Sequence, residues 1–138
     1  MQMSTIFKKI IDREISASIV YEDDVVLAFL DIYPIRKGHT LIIPKKESVN
    51  IFDTDADILA HMMIVAQKIA AGITQSLGAP AVNIHMNNGA EAGQDVFHIH
   101  LHVIPRYERG EAFVVSKHES YNEGEESECA EKLKTAIA

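Results

Sequence analysis

Three histidines alternate with apolar residues in the last third of the chain. Residues 98–104 read His-Ile-His-Leu-His-Val-Ile. Successive side chains of a β-strand point to opposite faces, so a strand here places His98, His100 and His102 on one face. The apolar residues between them then face a core. At roughly 6.5–7 Å intervals, which is twice the strand rise, the three imidazoles can contact different atoms of one phosphate-sized ligand.

Histidine suits phosphate chemistry because its ordinary pKa, about 6.5, leaves a neutral, nucleophilic ring available at neutral pH. One imidazole can attack phosphorus while a neighbour donates hydrogen bonds to phosphate oxygens. Two alternatives remain for the same pattern, a histidine-lined strand without chemistry and a zinc site built on His-x-His. Zinc is disfavoured because Cys129 is the only cysteine, and because the third histidine lies too far along the strand to share one ion easily.

Length and charge limit the classes of function. The 138 residues fit one domain, 1–138, and 13 Lys and Arg against 20 Asp and Glu give a net charge of −7. Such an acidic chain is a poor general binder of nucleic acid, so any phosphate must be held in a local pocket. No apolar run reaches the length of a membrane span, and residues 1–11 do not resemble a signal peptide. A single cysteine favours a reducing compartment, the cytoplasm or the nucleus.

The apolar pattern predicts five strands and two main helices, an α+β domain on an antiparallel sheet. The predicted strands are 18–22, 25–31, 39–44, 81–87 and 96–105. Ser4 is the predicted N-cap of a short opening helix, and a long helix runs from Asp53 or Thr54 to Ser76 and is terminated by Gly78. The stretch Tyr121–Glu128 is predicted to be acidic and mobile, and 129–137 to be a terminal helix.

The histidine segment resembles the signature of the histidine triad (HIT) family. Four other segments resemble that family in the same order: 6–11, 21–32, 38–45 and 87–94. The resemblance covers a core of about 4–106 and leaves a C-terminal tail, 107–138. It implies a HIT-like five-stranded sheet with two main helices. It also implies a homodimer in which the two sheets become continuous near His85 and Met86, with His85 as a structural or interfacial residue.

The resemblance further implies a role for each histidine. His100 would attack the α-phosphorus of a nucleotide, and water would then hydrolyse the covalent nucleotidyl-histidine. His102 would donate hydrogen bonds to phosphate oxygens, and His98 would lie behind the nucleophile and orient its ring with help from the backbone. His39, on a neighbouring strand, would complete the cluster, with a buried structural histidine as the alternative. No cofactor and no metal is expected.

A purine nucleotide site is implied around these histidines. Asp31 would accept hydrogen bonds from the ribose hydroxyls. Amide groups would face the phosphates and the leaving group from Asn87, Gly93, Gln94, Asp95 and Val96. An apolar slot for the purine would be formed by residues that are ordinarily core: Ile6, Phe7, Ile10, Phe29 and Ile32.

Two departures from the family pattern bear on function. Many microbial relatives hold a structural zinc partly through Cys-x-x-Cys in the opening helix, but Thr5 and Lys8 occupy the matching positions here, so this zinc is not expected. Asp95 stands beside the leaving group, where Ser or Thr is common. Its carboxylate would repel a polyphosphate or assist the departure of a protonated amine.

Three functions remain open. The Hint-like branch, which hydrolyses purine nucleoside phosphoramidates or acyl-adenylates, is favoured by the hairpin and Asn87. The Fhit-like branch, which hydrolyses dinucleoside polyphosphates such as Ap3A and Ap4A, is second. A non-catalytic nucleotide-binding regulatory protein is the third. In relatives the tail can reach toward the partner's site, and Lys117 or His118 would be the residues that do so.

Overall fold

A computed structural model describes residues 5–113 and 118–138 of the chain. Within these residues, five antiparallel strands form one sheet that packs with three α-helices. The strands are β1 Ile19–Glu22, β2 Val26–Leu30, β3 Thr40–Pro44, β4 Ala81–His85 and β5 Leu101–Arg106. The helices are α1 Ile6–Ile11, α2 Ala56–Leu77 and α3 Glu125–Ile137. The strand order is β1-β2-β3-β5-β4, which confirms the predicted α+β class and five-stranded sheet. Dimerisation through the edge strand β4 stays a prediction.

The two faces of the sheet are covered differently. One face, with Ala28 and Ile42, packs against α2 and α3. The opposite face, with Phe29 and Leu41, packs against α1. Every residue of β2 and β3 is buried, which explains their uninterrupted apolar sequences. Leu41 pairs with His102 in register, so the histidines share the α1 face of the sheet.

Helix α2 carries the predicted apolar stripe and ends where predicted. Its buried residues include Met62, Val65, Ile69 and Ile73, and Gly78 terminates it with a φ of 74°. It begins at Ala56, slightly later than predicted, since the Asp53 carboxylate is engaged in a separate turn before the helix. By length and composition alone α2 could cross a membrane, but core helices pass the same test, and this one packs on the sheet and on α3.

The predicted strand over 96–105 is wrong in its first half, because the ladder begins only at Leu101. Strand β3 ends at Pro44, which has no N–H to continue the pairing. The carbonyl oxygen of Pro44 instead accepts the Nε2–H of His98 at 2.8 Å. The N–H of Ile99 donates to the carbonyl of Ser48 at 2.9 Å. The residues before Leu101 are therefore extended and hydrogen-bonded but lie outside the ladder.

The two chain ends also differ from prediction. Ser4 lies outside the described residues, and Thr5 caps α1, with its Oγ1 accepting the N–H of Lys8 at 3.2 Å. The prediction that Tyr121–Glu128 is mobile is wrong, because α3 already begins at Glu125. Acidic side chains stabilise the first turn of a helix through its dipole, and Glu125 also pairs with Lys37 at 3.0 Å.

Candidate functional site

The histidine row lies between α1, β3 and β5. His98 and His100 are 1% and 5% exposed, and His100 lies 5.0 Å from His102 between ring centroids. The ring of Phe7, from α1, meets His100 edge-on at 5.0 Å. The apolar residues that alternate with the histidines are buried in the core on the other side of the sheet. The predicted alternation therefore persists, although His98 and His100 precede the regular strand.

His100 is held with one ring nitrogen free. Its Nδ1 lies 2.8 Å from the carbonyl oxygen of His98. A carbonyl oxygen only accepts, so we assign the proton of the neutral ring to Nδ1, which leaves a lone pair on Nε2. An oriented neutral imidazole with a free Nε2 lone pair is the form that a nucleophile requires.

A chain of hydrogen bonds determines where His39 and His102 carry their protons. The N–H of Ile35 donates to Nδ1 of His39 at 3.1 Å, so His39 carries its proton on Nε2. That N–H donates to Nδ1 of His102 at 2.9 Å. His102 therefore carries its own proton on Nε2, where it can be donated to a ligand. The geometry thus joins His39 to the cluster.

Burial is the main cause that lowers the pKa of both His39 and His102, to about 3, and neighbouring histidines lower it further. Both rings are consequently neutral at neutral pH. Burial also lowers the pKa of His98, whose Nε2–H is donated to Pro44. The contact of His98 with His100 is made by its backbone carbonyl, which is the backbone help that was expected, while its ring is bound to Pro44.

Asp31 lies at the mouth of the cluster. Its side chain is 22% exposed, and its Oδ2 lies 3.8 Å from Nε2 of His39. Its Oδ1 accepts the N–H of Tyr33 at 2.8 Å, which leaves further lone pairs for a ligand. Burial raises the pKa of Asp31, and the N–H of Tyr33 opposes that rise.

The five residues predicted to line a purine slot divide into two groups. Phe7, Ile10 and Phe29 are buried together in the smaller core. Ile6 and Ile32 are 47% and 59% exposed, so they are the members of the set with apolar surface available to a ligand.

The buried side chain of Gln94 holds the turn beside the histidines through hydrogen bonds to backbone groups. Its Oε1 accepts the N–H of Gly89 at 2.8 Å, and its Nε2 donates to the carbonyls of Val49 and Val96 at 2.6 and 3.0 Å. Its backbone N–H donates to Gly89 at 3.0 Å. The prediction that Gln94 presents an amide to the phosphates is therefore corrected: the side chain is 4% exposed and already fully hydrogen-bonded.

Among the neighbours of Gln94 in the turn, some backbone N–H groups are hydrogen-bonded within the protein and others are not. The N–H of Gly93 donates to the carbonyl of Ala90 at 3.0 Å, and a Cβ on Gly93 would lie 3.5 Å from the amide of Asn87. The backbone N–H groups of Asp95 and Val96 have no hydrogen-bond partner among residues 5–113 and 118–138. These two N–H groups are the ones that the turn leaves for an anion.

Asp31, His39 and His102 place three potential metal ligands within 4.8 Å of one another. A metal on Nε2 of His39 would force the proton of that ring onto Nδ1, against the N–H of Ile35. The donor set therefore does not suit a metal. At the two positions of the Cys-x-x-Cys expected from the resemblance, Thr5 caps α1 and Lys8 pairs with Asp12 at 2.9 Å.

Sequence reasoning missed a set of contacts that we call the loop–tail clasp. It consists of Arg36 with Glu111 and Glu119, and Gly38 with Tyr121. Arg36 forms an ion pair with Glu111 and donates from Nε to Glu119 at 2.7 Å. The N–H of Gly38 donates to Oη of Tyr121 at 2.8 Å. The clasp therefore holds the tail against the loop between Asp31 and His39, and no local pattern in the sequence could have revealed contacts between segments so far apart.

Two further histidines lie near the site. His118 donates from Nδ1 to the carbonyl of Tyr33 at 2.6 Å, so the tail reaches the loop of its own chain. Lys117, the other tail residue that was predicted to approach a nucleotide site, lies outside the described residues. His85, predicted to be structural or interfacial, lies directly opposite His102 in the ladder.

Comparison with known proteins agrees with this geometry. The model of the HIT domain matches residues 12–109. The protein named hit from Bacillus subtilis is 44% identical over 108 residues, which are 78% of this chain and 74% of that protein. The crystal structure of a hypothetical histidine triad nucleotide-binding protein from Sulfolobus tokodaii has a TM-score of 0.85 and 36% identity, covering 96% of this chain and 91% of that one.

A HIT family hydrolase from Legionella pneumophila is also similar, with a TM-score of 0.68 and 38% identity over 76% of this chain and 95% of that one. The matched region contains all four histidines of the cluster, His39, His98, His100 and His102, together with Asp31. The family model and the curated relative lead to the same conclusion: the chain belongs to the HIT family.

Proposed function

We propose that this chain hydrolyses purine nucleoside phosphoramidates or acyl-adenylates, releasing a nucleoside monophosphate through a covalent intermediate on His100. Family membership supports the coarser part of the proposal, a nucleotide-binding hydrolase. The observation that carries the covalent step is the pair of opposite tautomers, whereas the choice of leaving group rests on Asp95. His100 has its proton on Nδ1 and a free Nε2, whereas His102 has its proton on Nε2.

In the first step, the Nε2 lone pair of His100 attacks the α-phosphorus and forms a P–N bond. The bond from phosphorus to the leaving group breaks at the same time. A phosphoramidate releases an amine, which takes up one proton from solvent, and an acyl-adenylate releases a carboxylate, which needs none. The bond from Nδ1–H to the carbonyl of His98 supports the positive charge that develops on the ring. In the second step, water attacks phosphorus, the P–N bond to His100 breaks, and the monophosphate and one proton are released.

The phosphate oxygens would be bound by neutral donors. His102 offers Nε2–H, and the turn offers the N–H groups of Asp95 and Val96. Donors that are already oriented stabilise the charge on the transition state without reorganisation. This arrangement also explains how a chain with a net charge of −7 could bind a phosphate.

The nucleoside would lie on the α1 side of the cluster. Asp31 has free lone pairs for the ribose hydroxyls, and Ile6 and Ile32 expose apolar surface for the base. A planar purine binds such apolar surface through burial, while the diol supplies the directional contacts.

Asp95 supports an amine leaving group over a polyphosphate. It carries the N–H that would face the phosphate, and its carboxylate follows directly on the turn fixed by Gln94. A carboxylate there would repel the extra charges of a dinucleoside polyphosphate and would favour a leaving group that departs as a protonated amine.

The test compares turnover of adenosine phosphoramidate with that of Ap3A and Ap4A by the purified chain. We expect the phosphoramidate to be preferred, and His100→Ala to lower kcat by about 10⁴-fold or more, as the loss of a covalent nucleophile does. The matched control is His61→Ala, which removes a histidine that bonds Asp23 on another part of the surface. A preference for Ap4A would assign the other branch, and unchanged turnover by His100→Ala would refute the covalent mechanism.

A further inference from the structure

His85 lies directly opposite His102 in the sheet, a position that could not be inferred from the sequence around it. It is the last residue of β4, and the register pairs it with His102 of β5. Side chains directly opposite each other in an antiparallel pair lie on the same face. The two imidazoles are accordingly stacked, with ring centroids 4.4 Å apart and an angle of 18° between the planes.

This stack restrains the tilt of the His102 ring, which the hydrogen bond from His39 alone does not fix. The bond from His39 fixes the position of Nδ1 of His102 at 2.9 Å, but one hydrogen bond leaves the ring able to tilt about that contact. The ring of His100 is inclined at 57° to that of His102, so it does not provide a flat supporting surface. The ring of His85 does, because it lies nearly parallel to His102.

We propose that His85 is a positioning residue for the reaction, whose ring holds the plane of His102 so that its Nε2–H is directed at the phosphate. The inference rests on the proposed function for its kinetic part. It assigns His85 no contact with the substrate, and its effect passes entirely through His102.

Kinetics can separate this role from general support of the fold. A phosphate oxygen gains charge in the transition state, so a misdirected donor lowers kcat more than it raises KM. Loss of an aromatic stack corresponds to about a 3- to 10-fold effect. We therefore expect His85→Ala to lower kcat by that factor while KM changes by less than about twofold.

A conservative variant and a control complete the experiment. His85→Phe keeps a flat ring without nitrogen atoms, and should retain kcat within about twofold of the original chain. Asn83→Ala changes a neighbouring side chain on the same face of β4, which bonds Arg106 rather than a catalytic histidine. It should leave kcat unchanged. Equal losses in His85→Ala and His85→Phe would overturn the proposal, as would a kcat of His85→Ala equal to that of the original chain.

A second readout does not require any substrate. Nitrogen NMR of the imidazoles, with His102 assigned by a His102→Gln variant, should show one tautomer for His102 in the original chain and in His85→Phe. In His85→Ala the two nitrogen signals of His102 should move toward each other, because a tilting ring bends the bond from His39 and weakens its hold on the proton of His102. Unchanged signals would overturn the proposal. If the original chain does not hydrolyse the phosphoramidate, the proposed function fails while these signals still decide the role of His85.

Discussion

The histidine cluster and the loop–tail clasp share one loop, the segment between Asp31 and His39, but depend on opposite kinds of interaction. In the cluster, His39 is buried and neutral, and hydrogen bonds at both of its ring nitrogens orient it. In the clasp, Arg36 and Glu119 are charged, and their side chains are 28% and 35% exposed. Directional bonds between neutral groups define proton positions in a largely buried site, whereas partly exposed ion pairs are screened by water and salt. The cluster should therefore respond to changes in proton positions, and the clasp to salt.

Breaking the chain of hydrogen bonds through His39 and His102 should have the largest effect on kcat. His102→Phe removes the Nε2–H donor, and we expect kcat to fall by about 10²-fold, as it does when one transition-state donor is lost. His39→Phe removes only the group that sets the proton on His102, so the expected loss is smaller, about 10-fold. Steady-state kinetics with kcat and KM determined separately would measure both. A larger loss in His39→Phe than in His102→Phe would contradict this order.

Acid should weaken the folded state through the same two histidines. The unfolded chain takes up protons at His39 and His102 near pH 6.5, whereas the folded chain does so only at about 3. Their stabilising contribution is therefore complete above pH 6.5 and is lost as the pH falls, by up to about 1.4 kcal/mol per pH unit for each group. Urea unfolding between pH 7 and 5.5 would show the slope. An equally steep slope in His39→Phe would refute the assignment.

Opening the clasp should have the smallest effect, and one that depends on salt. Arg36→Ala removes the ion pairs with Glu111 and Glu119, and we expect the free energy of unfolding to fall by about 1 kcal/mol. KM should rise because the loop that carries Asp31 loses its support. The loss of stability should shrink in 1 M NaCl, where the Debye length is about 3 Å. Lys46→Ala, which breaks the exposed pair with Asp55, is the control and should change neither quantity.

Local patterns in the sequence were sufficient for much of the fold and for the identity of the triad. All five strands and α2 were predicted to within a few residues, except for the first half of the strand that contains His98. Alternation alone placed His98, His100 and His102 on one face, and the structure confirms it because their apolar neighbours are buried in the opposite core.

What the sequence could not predict depends on distant segments. The late start of the β5 ladder, at Leu101, depends on Pro44, more than fifty residues before His98. The role of Gln94 depends on the carbonyl of Val49. The stack of His85 on His102 requires the register between β4 and β5. Alternation and apolar runs describe one segment at a time, so they contain no information on register or on which carbonyl a side chain meets.

The contacts of Gly38 show how much of the chain is needed to support the candidate site. Its φ is 98°, and a Cβ there would collide with the side chain of Leu77, so the loop turns at a position that favours glycine. The residue that holds its N–H, Tyr121, lies beyond the family region, which ends at residue 109. A chain shortened to the family region would keep every histidine of the triad and lose the anchor of the loop before His39. The family region and the segment that supports the site therefore end at different residues, and any transfer of this site onto another scaffold has to include the tail as far as Tyr121.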